Sequence, residues 1–298
     1  MTETRAGFVA VIGAPNAGKS TLVNALVGQK VAIVSAKPQT TRARLMGIAI
    51  EGDVQILLVD TPGIFEPRRR LDRAMVAAAW TGAQDADLIL LVIDAASGVN
   101  DEVERIITSV AEAKQRLFVA LNKIDSVKKG NLLALAAGLS GRLNAEKLFM
   151  ISAAQGDGVS DLKQALAEAM PAGPWLYPED ELSDATERMI AAELTREQIV
   201  NQLHQELPYA TVVETESWED RSDGSTVINQ QIIVERESQK AIVIGKEGRR
   251  LKSIGAAARV EIAQHLARPV HLFLHVKVEP KWGEDRSLYR EIGLEWAE

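Results

Sequence analysis

The sequence contains no cysteine, only 4 % aromatic residues and no apolar run long enough to cross a membrane. The absence of cysteine excludes a disulfide framework and any thiolate metal site. A membrane-spanning helix needs about 18 or more apolar residues in succession, and no segment meets that length. The N-terminal residues MTETRAG lead into an apolar strand without a signal-peptide pattern. We therefore expect a soluble, cytoplasmic protein.

Length and charge suggest two domains with different surfaces. A chain of 298 residues suits about two domains, because single cores usually stop growing below this size. The net charge of -7 argues against indiscriminate binding to nucleic acid. Residues 236–259 nevertheless carry seven basic and two acidic side chains. This positive segment stands out in an otherwise acidic second half.

The order of apolar runs changes near residue 170. Before it, the runs FVAVI, VQILLV, LILLVI, RLFVAL and KLFMI alternate with helix-length stretches, which predicts an α/β domain with a mostly parallel sheet and helices on both faces. The segment 170–180 contains three prolines and a glycine and is typical of an ordered linker. After it, the pattern reads helix, strand, strand, helix, loop, helix, strand. We predict an α/β domain over 1–172, a linker over 173–183 and an α+β domain over 184–298.

The segment GAPNAGKS, residues 13–20, matches the P-loop pattern G-x-x-x-x-G-K-S/T. It follows the strand FVAVI and opens an apolar helix, which is the context this loop requires. Glycines let backbone N–H groups turn toward the β- and γ-phosphates, Lys19 reaches the phosphate oxygens, and Ser20 binds Mg²⁺. The sequence therefore predicts a nucleoside triphosphate site.

Three further motifs follow other predicted strands, where ligands bind in open α/β sheets. In DTPG, Asp60 would hold Mg²⁺ through water and Gly63 would offer its N–H to the γ-phosphate. In NKID, the Asp125 carboxylate can accept from guanine N1–H and the exocyclic amine, a donor pair that adenine lacks. Ser152 and Ala153 could place an N–H near guanine O6. This set favours GTP over ATP.

Together these motifs resemble the Era family of GTPases, in the translation-factor class, over nearly the whole chain. The resemblance implies that Thr41, or alternatively Thr40, binds Mg²⁺ with Ser20 and Asp60, and that Lys19, Thr41, Asp60, Gly63 and Asn16 serve catalysis. The candidate GTP-binding residues are Gly13, Ala14, Pro15, Asn16, Ala17, Gly18, Lys19, Ser20, Thr21, Asp60, Thr61, Pro62, Gly63, Ile64, Asn122, Lys123, Ile124, Asp125, Ser152 and Ala153, and GTP and GDP are the expected nucleotides.

The residue after DTPG is Ile64, where Ras-like enzymes place a water-orienting glutamine. Isoleucine can neither orient nor deprotonate water, so slow intrinsic hydrolysis is expected. The family resemblance suggests that K⁺ beside Asn16 supplies positive charge, whereas the alternative is that Asn16 only caps the loop. The arginines in residues 66–75 could act as a finger in cis, although a solvated switch segment is the preferred interpretation.

The second glycine loop, GKEG at residues 245–248, is too short to wrap a triphosphate. A helix–GxxG–helix arrangement is typical of a KH motif, which clamps single-stranded RNA. The element order matches the type II KH domain of bacterial proteins, and the family resemblance implies binding to the 3′ end of 16S rRNA and maturation of the 30S ribosomal subunit. The alternative is that the domain docks a protein or a membrane surface, with peripheral association at the inner membrane; we expect a monomer. The candidate RNA-binding residues are Ile244, Gly245, Lys246, Glu247, Gly248, Arg249, Arg250 and Lys252.

Overall fold

A computed structural model describes residues 4–35, 37, 41, 45–67, 70–113, 115–203, 207–280, 282–284, 286, 294 and 296. These residues divide into two units. The first unit comprises the described residues of Met1–Ala32, Thr41–Asp184 and Arg290–Glu298, and the second comprises those of Ile33–Thr40 and Ala185–Tyr289. Among the described residues, no helix combines the length and the apolar character needed to span a bilayer.

The first unit contains a six-stranded sheet in the order β2-β3-β1-β4-β5-β6. All neighbouring strands are parallel except β2, which pairs with β3 in the antiparallel sense. The predicted mostly parallel sheet is confirmed, but β2 is a strand that was not predicted from the sequence. The strands are β1 Arg5–Ile12, β2 Leu45–Glu51, β3 Val54–Asp60, β4 Leu88–Asp94, β5 Arg116–Asn122 and β6 Lys147–Met150.

Helices cover both faces of this sheet because its strands are apolar on both sides. Along β1, Val9 and Val11 belong to one core with residues of α1 and α5, while Ala10 and Ile12 belong to another with residues of α2, α3 and α4. Alternate residues of a strand point to opposite faces, so the two cores lie on opposite sides. The helices are α1 Lys19–Val27, α2 Arg70–Gln84, α3 Asp101–Ala111, α4 Lys129–Ser140 and α5 Val159–Ala169.

The predicted linker is hydrogen-bonded to the first unit. Gln55 is fully buried in β3, and its amide nitrogen donates to the Tyr177 carbonyl at 2.9 Å. The Gln55 side-chain oxygen accepts from the backbone N–H groups of Leu176 at 2.9 Å and Tyr177 at 3.1 Å. The indole of Trp175 also donates to the Asp53 carbonyl at 3.0 Å. One buried side chain therefore fixes two consecutive linker residues.

The second unit packs three helices against a three-stranded sheet in the order β7-β8-β9. β7 and β8 are antiparallel, and β8 and β9 are parallel. The predicted order of helices and strands is confirmed. The helices are α6 Glu187–Gln202, α7 Glu237–Ile244 and α8 Arg249–Leu266, and the strands are β7 Thr211–Asp220, β8 Thr226–Val234 and β9 Val270–Val278.

Four described residues that follow α1 in the chain belong to the second unit. Ile33 is 5 % exposed and lies in the same core as residues of α6. The N–H of Val34 donates to the Glu197 side chain at 3.0 Å. The ammonium group of Lys37 donates to carbonyls at the C-terminal end of α6, where the helix dipole favours a positive charge. Part of the segment between α1 and β2 is thus held by α6.

We predict that Gln55→Leu opens the linker while leaving the rest of the sheet folded. The change keeps most of the side-chain volume but removes the hydrogen bonds to Leu176 and Tyr177, so local opening should become about ten times more frequent. The measurement is the rate of chymotrypsin cleavage after Trp175 or Leu176 in the folded chain. The matched control is Gln164→Leu on the exposed surface of α5, which should cleave at the parent rate. An unchanged rate in Gln55→Leu would contradict this role of Gln55.

Candidate functional site

The predicted nucleotide motifs meet at one edge of the first sheet. The P-loop follows β1, DTPG begins at the last residue of β3, NKID begins at the last residue of β5, and Ser152 follows β6. These four strands run parallel, so their carboxyl ends lie at the same edge. Open α/β sheets bind ligands at this edge.

The P-loop turns sharply into α1. Gly18 lies at the N-terminus of this helix with φ +93°, a conformation that favours glycine. A Cβ atom at Gly18 would stand 2.2 Å from the side-chain nitrogen of Asn122. The glycine therefore permits contact between the P-loop and NKID. In addition, the N–H of Ile64 donates to the Gly13 carbonyl at 3.1 Å and holds DTPG beside the loop.

Lys19 is buried beneath the P-loop. Its ammonium group donates to the carbonyls of Gly13 at 3.2 Å and Ala14 at 3.1 Å. Burial lowers the pKa of Lys19 to about 8, and attraction to Asp60 opposes part of this shift. Keeping Lys19 charged in this enclosed site therefore costs free energy, and phosphate oxygens would stabilise the charged form.

The three predicted magnesium residues lie within hydrogen-bond reach of one another. The Ser20 hydroxyl donates to Asp60 Oδ2 at 2.7 Å, the Thr41 hydroxyl contacts the same oxygen at 3.3 Å, and the two hydroxyls are 2.9 Å apart. Asp60 Oδ1 is buried without a hydrogen-bond partner among the described residues. Burial raises the pKa of Asp60, while Lys19, Ser20 and Thr41 oppose the shift. Hydroxyl and carboxylate oxygens of this kind suit Mg²⁺.

Asn122 connects three of the loops at this edge. Its side-chain nitrogen donates to the Ala17 carbonyl at 2.9 Å. Its side-chain oxygen accepts from the N–H groups of Lys123 and Ala153, each at 2.9 Å. The residue is 2 % exposed, so these bonds form in a buried environment. The amide of Asn122 therefore serves structural contacts and holds the neighbouring loops together.

Asp125 keeps an exposed carboxylate at the predicted base-binding position. Ser152 donates its hydroxyl proton to Asp125 Oδ1 at 2.6 Å, and Ser126 donates to Oδ2 at 3.1 Å. The bond from Ser152 is the largest cause of the lowered pKa of Asp125. The carboxylate is therefore ionised and oriented at neutral pH. This state is the one that can accept two hydrogen bonds from guanine.

Asp94 lies at this edge and was not predicted from the sequence as a site residue. It ends β4, and its Oδ2 accepts a hydrogen bond from Lys123 Nζ at 2.7 Å. The available signal was an aspartate at the end of the apolar run LILLVI, in the same position as Asp60 after VQILLV. Its contact with Lys123 depends on the adjacency of β4 and β5, which the sequence pattern does not specify.

The predicted hydrolysis residues have different surroundings. Ile64 is 8 % exposed and belongs to a hydrophobic core, so its side chain serves packing. Asn16 is exposed and has φ +62°, a left-handed conformation that asparagine tolerates better than most residues. The Arg70 guanidinium lies 4.6 Å from the centre of the Trp296 ring. Arg68, Arg69 and Thr40 lie outside the described residues.

Other predicted nucleotide residues line the same loops. The Thr61 hydroxyl donates to the Val11 carbonyl at 2.9 Å, so this side chain already has a partner within the fold. The Ile124 N–H donates to the Ile151 carbonyl at 3.2 Å and ties NKID to the end of β6. Ala14 and Pro15 lie in the P-loop, Thr21 lies in the first turn of α1, and Pro62 lies in DTPG.

The second glycine loop joins α7 to α8. Gly245 has φ +71°, and a Cβ atom there would stand 2.8 Å from the Cβ of Arg250. Gly248 also has φ +71°, but an added Cβ would meet nothing within 4 Å. Gly245 is therefore required by packing within the fold. Gly248 leaves open space at the N-terminus of α8, where backbone N–H groups favour an anionic ligand.

Exposed positive charge surrounds this loop. Lys246, Arg249, Arg250 and Lys252 are all exposed. The Arg249 side chain is 2.6 Å from the Glu247 carboxylate, and Arg250 donates to the Ile242 carbonyl at 2.9 Å. Ile244 is partly buried against the core of the second unit. The loop thus presents four basic side chains together with an open backbone.

We predict that nucleotide binding takes up a proton near pH 8. Phosphates stabilise charged Lys19, so the complex keeps a proton that the free protein loses as pH rises through about 8. Affinity for GDP should therefore fall with rising pH in this range. Titration calorimetry at pH 8 in two buffers of different ionisation enthalpy should give uptake of about half a proton. Lys19→Arg remains charged and should show no uptake. Equal heats in both buffers for the unaltered chain would contradict the account.

Two family models match separate parts of the chain. The model described as "50S ribosome-binding GTPase" matches residues 8–123, and the KH domain model matches residues 206–283. Curated relatives named GTPase Era match almost the whole length. The relative from Afipia carboxidovorans is 58 % identical, with coverage of 98 % of this chain and 95 % of the relative. The relative from Erythrobacter litoralis is 55 % identical, with 100 % of both chains covered.

Two solved structures show the same fold over both units. One is Aquifex aeolicus Era carrying one substitution and bound to GDP·AlF4⁻, and the other is Era in complex with MgGDPNP and nucleotides 1506–1542 of 16S ribosomal RNA. Each is 37 % identical with a TM-score of 0.92, and each comparison covers 97 % of this chain and 99 % of the other. On the full-length identity to the curated relatives, this chain belongs to the GTPase Era family, with a P-loop GTPase domain followed by a KH domain.

Proposed function

We propose that this GTPase hydrolyses GTP to GDP and phosphate at the P-loop site and binds the 3′ end of 16S rRNA through the KH loop. The observation that carries this proposal is the 37 % identical Era structure, which holds both MgGDPNP and 16S nucleotides and matches 97 % of this chain. The corresponding role is maturation of the 30S ribosomal subunit. The proposed domains are 1–172 for GTP, 173–183 as linker and 184–298 for RNA.

Magnesium fits the residues around Asp60. The buried Oδ1 without a hydrogen-bond partner among the described residues, and the adjacent hydroxyls of Ser20 and Thr41, form the proposed binding set. When bound with GTP, Mg²⁺ neutralises charge on the β- and γ-phosphates. Gly63 would offer its N–H to the γ-phosphate, and Lys19 supplies positive charge from beneath the loop.

Hydrolysis in this site depends on charge more than on a protein base. Ile64 is buried and carries no group that could orient water. Phosphoryl transfer is catalysed mainly by positioning and electrostatic stabilisation, so an added cation would raise the rate. We assign this role to K⁺ bound beside Asn16, whose exposed side chain includes an amide oxygen.

Exchange of K⁺ for Na⁺ tests this assignment. Single-turnover GTP hydrolysis should slow by about tenfold in Na⁺, because a positive charge near the transferring phosphate is lost. Asn16→Gly keeps the left-handed backbone conformation but removes the amide oxygen, and its rate should be the same in both salts. If the unaltered chain hydrolyses GTP equally fast in K⁺ and Na⁺, Asn16 has only a conformational role in the loop.

RNA binding is proposed at the second glycine loop because charge and accessible backbone coincide there. Lys246, Arg249 and Lys252 are exposed beside Gly248, which has no neighbour that a Cβ would meet within 4 Å. KH domains clamp the backbone of a single strand with such a loop. The acidic charge of the rest of the chain would disfavour binding away from this segment.

A matched pair of substitutions at Gly248 tests this surface. Asparagine and aspartate both tolerate the left-handed backbone and have nearly equal volume, so they differ mainly in charge. Filter binding with a single-stranded RNA of the 16S 3′-end sequence should show near-parent affinity for Gly248→Asn and at least about tenfold weaker binding for Gly248→Asp. Equal affinities for the two variants would contradict RNA contact at this loop and favour a protein or membrane partner.

We further propose that the chain acts in the cytoplasm as a monomer, with peripheral association at the cytoplasmic face of the cell membrane. The family resemblance implies the peripheral membrane association.

A further inference from the structure

The Asp94 carboxylate lies outside the nucleotide motifs but contacts one of them. We propose that Asp94 is a positioning residue for guanine-nucleotide binding and acts through Lys123. The inference rests on the proposed base-binding role of residues 122–125. It assigns a function to a residue of β4, the strand between β1 and β5.

The contact between the two residues is short and partly shielded from water. Lys123 Nζ lies 2.7 Å from Asp94 Oδ2, with side-chain exposures of 38 % for the lysine and 18 % for the aspartate. The contact joins the end of β4 to the loop that follows β5. A charge-assisted hydrogen bond of this length is stronger than a neutral one, and partial burial limits its screening by salt.

The carboxylate is oriented by its own turn. Asp94 Oδ1 accepts from the N–H groups of Ala96 at 2.9 Å and Ser97 at 3.3 Å, and Oδ2 accepts from the Ser97 hydroxyl at 3.1 Å. Bonds from Lys123, Ala96 and Ser97 lower the pKa of Asp94 despite its partial burial. The turn after β4 therefore orients the Asp94 carboxylate, and Lys123 donates to a carboxylate that is already held in place.

This contact restrains a residue between two predicted base-site side chains. Lys123 has φ +64°, follows buried Asn122 and lies two residues before Asp125. The Ala95 N–H also donates to the Asn122 carbonyl at 2.9 Å, so the loops after β4 and β5 are joined by a main-chain bond and a side-chain bond. A free lysine would lose rotamer freedom when a nucleotide packed beside it. The contact with Asp94 restricts the lysine side chain before a nucleotide binds, so binding costs less conformational entropy. Nucleotide release should therefore be slower.

The competing interpretation is that Asp94 only shapes the turn after β4. Asp94→Asn separates the two roles, because an asparagine oxygen can still accept from Ala96 and Ser97 while the charge facing Lys123 is lost. Lys123→Met removes the same contact from the other side and keeps an unbranched side chain of similar length.

The test is the dissociation rate of a fluorescent GDP from four full-length proteins: the unaltered chain, Asp94→Asn, Lys123→Met and the double variant. Each single variant should release GDP about five times faster, and the double variant should release it no faster than Lys123→Met. The proposal is overturned if Asp94→Asn releases GDP at the parent rate. It is also overturned if Asp94→Asn accelerates release by the same factor in the Lys123→Met background. That result would show that Asp94 acts only by shaping the turn after β4.

Asp125→Asn separates failure of this inference from failure of the proposed base site. Loss of the guanine-reading carboxylate should accelerate GDP release by well over tenfold. If Asp125→Asn releases GDP at the parent rate, the proposed base site is wrong and the inference falls with it. If Asp125→Asn shows the large effect while Asp94→Asn shows none, only the role of Asp94 is overturned.

Discussion

The buried amide of Asn122 is the interaction on which the nucleotide edge of the first sheet depends. It bonds to the P-loop through Ala17, to its own loop through the Lys123 N–H and to the loop after β6 through Ala153. Parallel strands bring these loops to one edge but do not fix their spacing. The planar amide of Asn122 fixes this spacing, because its donor and acceptor make three bonds that constrain three loops at once. Gly18 completes the arrangement, since any larger residue would collide with that amide.

Around this scaffold, the protein holds opposite charges that only a ligand would fully satisfy. Lys19 is buried with a lowered pKa, and Asp60 is buried with a raised pKa and one oxygen without a hydrogen-bond partner among the described residues. Both shifts are caused first by burial, so the fold places charged groups where water cannot stabilise them. A triphosphate and Mg²⁺ would supply the complementary charges. The free-energy cost at this edge therefore comes from burying charged groups, and a nucleotide–metal complex carries the charges that would offset it.

The sequence predicted the parts of the molecule whose signals are local. Apolar runs located five strands of the first sheet, and the spacing of glycines, Lys19 and Ser20 located the P-loop. β2 was missed because it is an antiparallel strand joined to β3 by a tight turn, outside the strand-helix alternation. The contact of Asp94 with Lys123 depends on which strands are neighbours, and the packing of Ile33 against α6 joins residues more than 150 positions apart. Neither pairing has a periodic signature in the chain.

The two glycine loops thus differ in chemistry: the first unit has an enclosed, charged turn, and the second has an open, exposed turn. We propose that the second loop of this GTPase holds the 3′ end of 16S rRNA. The decisive measurement is crosslinking of the chain to RNA in cells, followed by sequencing of the bound fragments. We expect enrichment of fragments from the 3′ end of 16S rRNA. Recovery of no enriched RNA, or enrichment only of unrelated RNA, would show that the proposal is wrong.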